Sequence, residues 1–151
     1  MLSKPHRTAL SMQHTEPPAD LQITISIVSH GHGYQVERLL EQTLEEPYVS
    51  RIILTLNLPE TLNLPDDDRV LVTQNNQVKG FGANHNAAFE RCETPYFCVL
   101  NPDIVLLKGC FGELLACLRS NKAAVAAPIV ISPHGQQEDS WRQFPTLRSL
   151  T

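Results

Sequence analysis

Little in this 151-residue chain favours a nucleic acid, a bilayer or a disulfide framework. Acidic residues outnumber basic ones by 16 to 12, for a formal charge of −4. The basic stripe that draws a protein to a phosphate backbone is therefore missing. No apolar run is long enough to cross a membrane; the longest, around Ala123 to Ile131, is interrupted by Pro128. The segment Met1-Leu2-Ser3-Lys4-Pro5-His6-Arg7 carries charge with no apolar core behind it, which argues against a signal peptide. The four cysteines, at 92, 98, 110 and 117, include no Cys-x-x-Cys pair, so zinc and thioredoxin-like chemistry have little support. Three of them, Cys98, Cys110 and Cys117, fall in apolar segments as small hydrophobes, which fits a reducing, cytoplasmic setting. There is no Gly-x-x-x-x-Gly-Lys-Ser/Thr phosphate loop, and no Ser or Cys nucleophile stands in a motif with a His.

What is present is the material of a core. Hydrophobic residues make up 42% and charged residues 19%, enough to bury an interior and too little charge for a disordered chain. The length suits one domain or a fragment of something larger. Residues 1–20 show no apolar period and read as a flexible tail, with the domain occupying 21–151. Ile23 to Ser29 is β-branched and short, a strand. From Val36 the period changes: Val36, Leu39, Leu40, Thr43 and Leu44 share one helical face until Pro47 ends it. Arg51 to Asn57 and Arg69 to Gln74 read as strands around a connection rich in proline and aspartate. A helix from about Ala83 to Cys92, a strand Tyr96 to Leu100, a helix near Phe111 to Arg119 and a fifth strand Ala124 to Ile131 complete the series. Strands alternating with helices predict an α/β fold, a doubly wound and mostly parallel sheet with helices on both faces.

Ligands of such sheets bind beyond the carboxyl ends of the strands. Polar residues collect there: Ser29-His30-Gly31, Asn57, Gln74-Asn75-Asn76 and Asn101-Pro102-Asp103. Loops are polar in any case, and Asn-Pro-Asp alone is a turn sequence. Gly80-Phe81-Gly82-Ala83-Asn84-His85-Asn86 is a glycine-led helix start whose N–H groups suit an anion. A carboxylate just past a buried strand suits Mg²⁺ or Mn²⁺, which take one or two protein oxygens and fill the rest of the shell with phosphate and water. His30 and His32 are better read as neutral loop groups than as a metal pair. Gly31-His32-Gly33 lacks the third glycine and the acidic residue of a dinucleotide fingerprint. His85 reads as a helix-face residue, Asn84 as the cap of its helix, and Asp66-Asp67-Asp68 as a solvated loop.

In order along the chain, Asn75, Gly80-Phe81-Gly82-Ala83-Asn84-His85-Asn86, Asn101-Pro102-Asp103-Ile104 and Ser140-Trp141-Arg142-Gln143-Phe144-Pro145 resemble glycosyltransferase family 2, rhamnosyltransferase-like type. The resemblance runs from about Ile23 to Pro145. It implies the Rossmann-like GT-A fold, apparently truncated, because the acceptor-binding half and its general base would lie beyond Thr151. It implies a nucleotide-diphosphate sugar donor and a polysaccharide or lipid-linked saccharide acceptor, transferred to with inversion; a lipid-linked acceptor would bring the chain to a membrane surface. Asp103 would hold Mg²⁺ or Mn²⁺ with Asn101 beside it, and the donor would meet Ser29, His30, Asn57, Asn75, Gly80, Gly82 and Asn86. Trp141 and Arg142 would cover the donor or lie on the surface. The family's acidic residue after the second strand is absent, leaving Asn57 and His30 to read base and ribose. Two rivals are a non-catalytic nucleotide-sugar-binding module and a nucleotidyltransferase. The second needs a basic glycine-rich loop after the first strand, and His30-Gly31-His32-Gly33 has no Lys or Arg.

Overall fold

A computed structural model describes residues 17–138. After a 3₁₀ turn at Ala19–Leu21, the elements run β1 (Ile23–Ser29), α1 (Tyr34–Leu44), β2 (Val49–Leu56), β3 (Val70–Gln74), α2 (Phe81–Phe89), β4 (Tyr96–Leu100) and α3 (Cys110–Asn121). The four strands form one sheet in the order β3-β2-β1-β4, and every pairing is parallel.

Alternation along β1 sorts its two faces. Ile23, Ile25 and Ile27 join Ile52, Leu54 and Leu56 of β2, and α1 lays Val36, Leu39 and Leu40 over them with Phe111 and Leu115 of α3. Each such side chain contributes roughly 1.5–3 kcal/mol on burial, so this face carries most of the hydrophobic stabilisation. The opposite face of β1 is small and polar. Thr24 and Ser26 are fully buried there, and α2 packs against it. The Thr24 hydroxyl accepts from Thr94 Oγ1 at 2.8 Å. Helices thus cover both faces, as the alternation of elements predicts.

Several expectations shift. The second helix begins at Phe81 rather than Ala83 and ends at Phe89. Residues 124–131 form no strand; Ile131 makes an isolated antiparallel bridge with Gln137, and Val125, Ile129, Val130 and Ile131 are exposed. A β-branched run becomes a strand only beside a partner, and among the described residues β4 is the edge of the sheet. Accordingly β4 is only partly buried, with Val99 exposed. Cys117 is exposed rather than apolar-buried, while all four cysteines are free thiols. Burial pushes the Cys98 thiol up to about 12, with Cys110 nearby adding to it. The expected tail and the Trp141-Arg142 segment lie mainly or wholly outside the described residues.

Candidate functional site

The strand order reverses at β1: β2 and β3 lie on one side of it, β4 on the other. Open parallel sheets leave a crevice at such a switch point, outside the carboxyl ends. Here that crevice is a cleft of about 370 Å³ lined by residues that include His30, His32, Lys79, Asn101 and Asp103. That is within the size range of small-molecule sites.

One wall is a network of neutral amides. Asn57 follows β2 and is 6% exposed. Its Oδ1 accepts from the Lys79 N–H at 2.9 Å, and its Nδ2 donates to the Lys79 carbonyl at 2.9 Å. Backbone groups have fixed polarity, so this pair settles which end of the amide is which. Asn57 Nδ2 also donates to His30 Nδ1 at 3.0 Å. His30 therefore presents its lone pair to Asn57 and carries its proton on Nε2. Asn75 Nδ2 donates to Asn57 Oδ1 at 2.9 Å and to Asn84 Oδ1 at 2.7 Å. Asn84 Nδ2 donates to the Lys79 carbonyl at 3.2 Å. Asn84 is thus a buried tie between α2 and the loop before it, not a helix cap; Gly80 holds the N-cap position without a side-chain bond.

The β1–α1 loop turns on Gly31 and Gly33, at φ of 82° and 54°, a region glycine enters without strain. Glu60 accepts from both of their N–H groups, at 3.4 and 3.1 Å. The His30 N–H donates to His32 Nδ1 at 2.8 Å. His30 and His32 hold each other and the loop, and among the described residues no group of three or more metal-ligating side chains occurs.

The other wall is Asn101-Pro102-Asp103, just past β4. Asp103 is exposed at the cleft, and among the described residues its carboxylate makes no hydrogen bond or ion pair. Beneath lies His85, 5% exposed. Its Nδ1 is 2.8 Å from Ser26 Oγ, Phe81 lies edge-on at 4.3 Å between ring centroids, and burial lowers its pKa.

Of the residues singled out in the sequence, His30, Asn57, Asn101 and Asp103 converge on the cleft. Ser29 is buried and its Oγ accepts from the His32 N–H at 3.3 Å. Asn75 faces a smaller cavity of about 90 Å³ between β2, β3 and α2. Gly80 and Gly82 sit exposed at the start of α2, and Asn86 is exposed on that helix away from the cleft lining. Lys79, His32, Phe81 and His85 line the cleft without having been singled out as donor contacts. A cation immediately before the glycine-led helix start was the available signal for Lys79. For His85 there was none, because its role depends on which face of α2 meets the sheet.

Fold and cleft define a Rossmann-like α/β domain with a crevice at the switch point between β1 and β4. The family model described as Glycosyl transferase family 2 matches residues 36–150, from within α1 onward. The chain belongs to that family. No curated relative matches it significantly.

Proposed function

We propose that this chain is a glycosyltransferase whose cleft binds a nucleotide-diphosphate sugar with Mg²⁺ or Mn²⁺ at Asp103. The observation that carries this is the Asp103 carboxylate, exposed in the lining of the switch-point cleft and without a hydrogen bond or ion pair among the described residues. One carboxylate with the Asn101 amide beside it is a poor cage for a resident ion. It suits an ion that shares its shell with phosphate and water. Bound there, such an ion would stabilise charge on the departing nucleotide diphosphate.

The chain's own groups divide the remaining tasks. Lys79 supplies a cation at the cleft, and the first turn of α2, which has no side-chain cap among the described residues, supplies N–H groups at its positive end. His30 offers Nε2–H, fixed by Asn57, to the base or ribose. Asn57 itself is saturated, so it acts by holding His30 and Lys79 rather than by touching the donor. We further propose residues 21–151 as the nucleotide-sugar-binding unit, transfer with inversion to a polysaccharide or lipid-linked saccharide, and a cytoplasmic setting, which four free thiols fit. No helix among the described residues is long and apolar enough to cross a membrane.

The test is a thermal-shift panel of UDP, GDP, dTDP and CDP with and without Mn²⁺, on wild type and Asp103→Ala. A ligand that binds only the native state raises the melting temperature. Stabilisation of wild type by one nucleotide only with metal, lost in Asp103→Ala, is expected. Metal-independent stabilisation retained by Asp103→Ala would overturn the metal role, and no response from a folded chain would overturn the donor site.

A further inference from the structure

His85 carries a nitrogen that the fold leaves without a partner. The residue is buried between α2 and β1, and Nε2 is out of contact with water and makes no hydrogen bond among the described residues. Buried polar atoms are nearly always paired, and leaving one unpaired costs about 1–3 kcal/mol. A hydrophobic residue in α2 would avoid that cost.

The tautomer follows from Ser26. Its hydroxyl, on a fully buried β1 residue, lies 2.8 Å from His85 Nδ1 and has no other acceptor among the described residues. If Ser26 O–H donates to Nδ1, one group is left over, the Nε2–H. If instead Nδ1–H donated to Ser26, both the hydroxyl proton and the Nε2 lone pair would be stranded. The first arrangement costs less, so His85 presents a fixed Nε2–H. Desolvation disfavours the charged ring, so the donor is neutral. The residue lines the same cleft as Asp103 and His30.

We propose that His85 is a ligand-binding residue whose Nε2–H donates to an acceptor oxygen of the nucleotide-diphosphate sugar. This rests on the donor-site reading given above. Ser26 is its positioning residue, holding the tautomer from the strand beneath. Phe81, 61% exposed, packs edge-on against the imidazole and lines the same cleft. The unpaired donor is then satisfied only in the bound state, which favours an oxygen-rich ligand over an apolar one.

The test compares wild type with the double variant Ser26→Ala/His85→Phe, which removes the imidazole without stranding the hydroxyl. The probes are UDP, GDP, dTDP and CDP and the sugar nucleotides UDP-glucose, GDP-mannose and dTDP-rhamnose, each with Mn²⁺, followed by calorimetry. The expected result is roughly tenfold weaker binding by a folded double variant, with partial recovery in His85→Gln, which returns an N–H near Nε2. Weakening for diphosphates and sugar nucleotides alike places the acceptor on the diphosphate. Weakening for sugar nucleotides alone places it on the sugar. Equal affinities in wild type and double variant overturn the proposal while leaving the donor site intact, and failure of wild type to bind any probe overturns both.

A second measurement needs no variant to fold. In wild type with isotope-labelled histidine, NMR should show the proton on Nε2 of His85 and a shift of that nitrogen when a probe binds. A proton on Nδ1, or an unmoved Nε2 under a bound probe, overturns the proposal.

Discussion

Asn57 pairs with Lys79 as one peptide unit pairs with another, accepting from its N–H and donating to its carbonyl. Both halves of the amide are needed, and its second donor bond fixes His30. The sequence shows an amide where the resemblance leads one to expect a carboxylate, and the structure supplies a physical counterpart. Asn57→Asp would keep both acceptor bonds, from Lys79 N–H and Asn75 Nδ2. It would also set an anionic oxygen against the Lys79 carbonyl and the His30 lone pair. The expected cost is about 1–3 kcal/mol of stability, read as a lower urea midpoint. Asn57→Asp should also release His30, seen as broadening or movement of its ring resonances. An unchanged midpoint would mean that Lys79 and His30 find other partners.

Among the elements, α3 shows how position rather than propensity secures a helix. Its N-cap, Gly109, sits at φ 80° and makes no side-chain capping bond of its own. The Glu46 carboxylate, 3% exposed and just beyond α1, accepts the Gly109 N–H at 2.7 Å. Glu46 therefore ties the end of one helix to the start of another, where a negative group complements the positive helix end. Glu46→Ala should cost about 1–3 kcal/mol, whereas Glu46→Gln, which keeps an acceptor oxygen, should cost less. Equal losses in urea unfolding would show that packing rather than the hydrogen bond matters there. Such ties, between residues far apart in the chain, are what the sequence does not disclose. The period-2 run of β1 and the spacing of Val36, Leu39, Leu40, Thr43 and Leu44 depend on nearest neighbours, and of those α1 positions the first four are buried and Leu44 is half-buried. Residues 124–131 look equally strand-like, but hydrogen bonding to a neighbour is not written in their own composition. The cleft was legible at His30, Asn57, Asn101 and Asp103, because strand ends are local. Ser29 and Asn86 fall elsewhere because loop path and helix rotation decide where a side chain lies.

For the whole molecule, the polar face of β1 has a consequence for stability against pH. His85 is buried against that face, and desolvation alone holds its pKa below the ordinary 6.5. Ser26 and Phe81 are the groups in contact with its ring, while Lys79, His30, His32 and Asp103 are the charged or titratable groups along the same cleft. In the unfolded chain the imidazole takes up its proton near the ordinary value. Above 6.5 both states are neutral and the contribution of this residue is at its ceiling. As pH falls below 6.5 the unfolded state binds a proton that the native state refuses, so stability declines until the native pKa is passed, and then levels out. The slope from one such group approaches about 1.4 kcal/mol per pH unit. Asp67, whose pKa is lowered chiefly by its hydrogen bond to Arg69, acts in a separate window below 3.8. Urea midpoints of wild type should therefore drop between about pH 7 and pH 5, and those of Ser26→Ala/His85→Phe should drop less over the same interval. Parallel curves for the two proteins would mean that His85 takes up its proton in the folded state. The ring of this cleft-lining residue would then be an imidazolium, able to bind an anionic ligand more tightly as the pH falls.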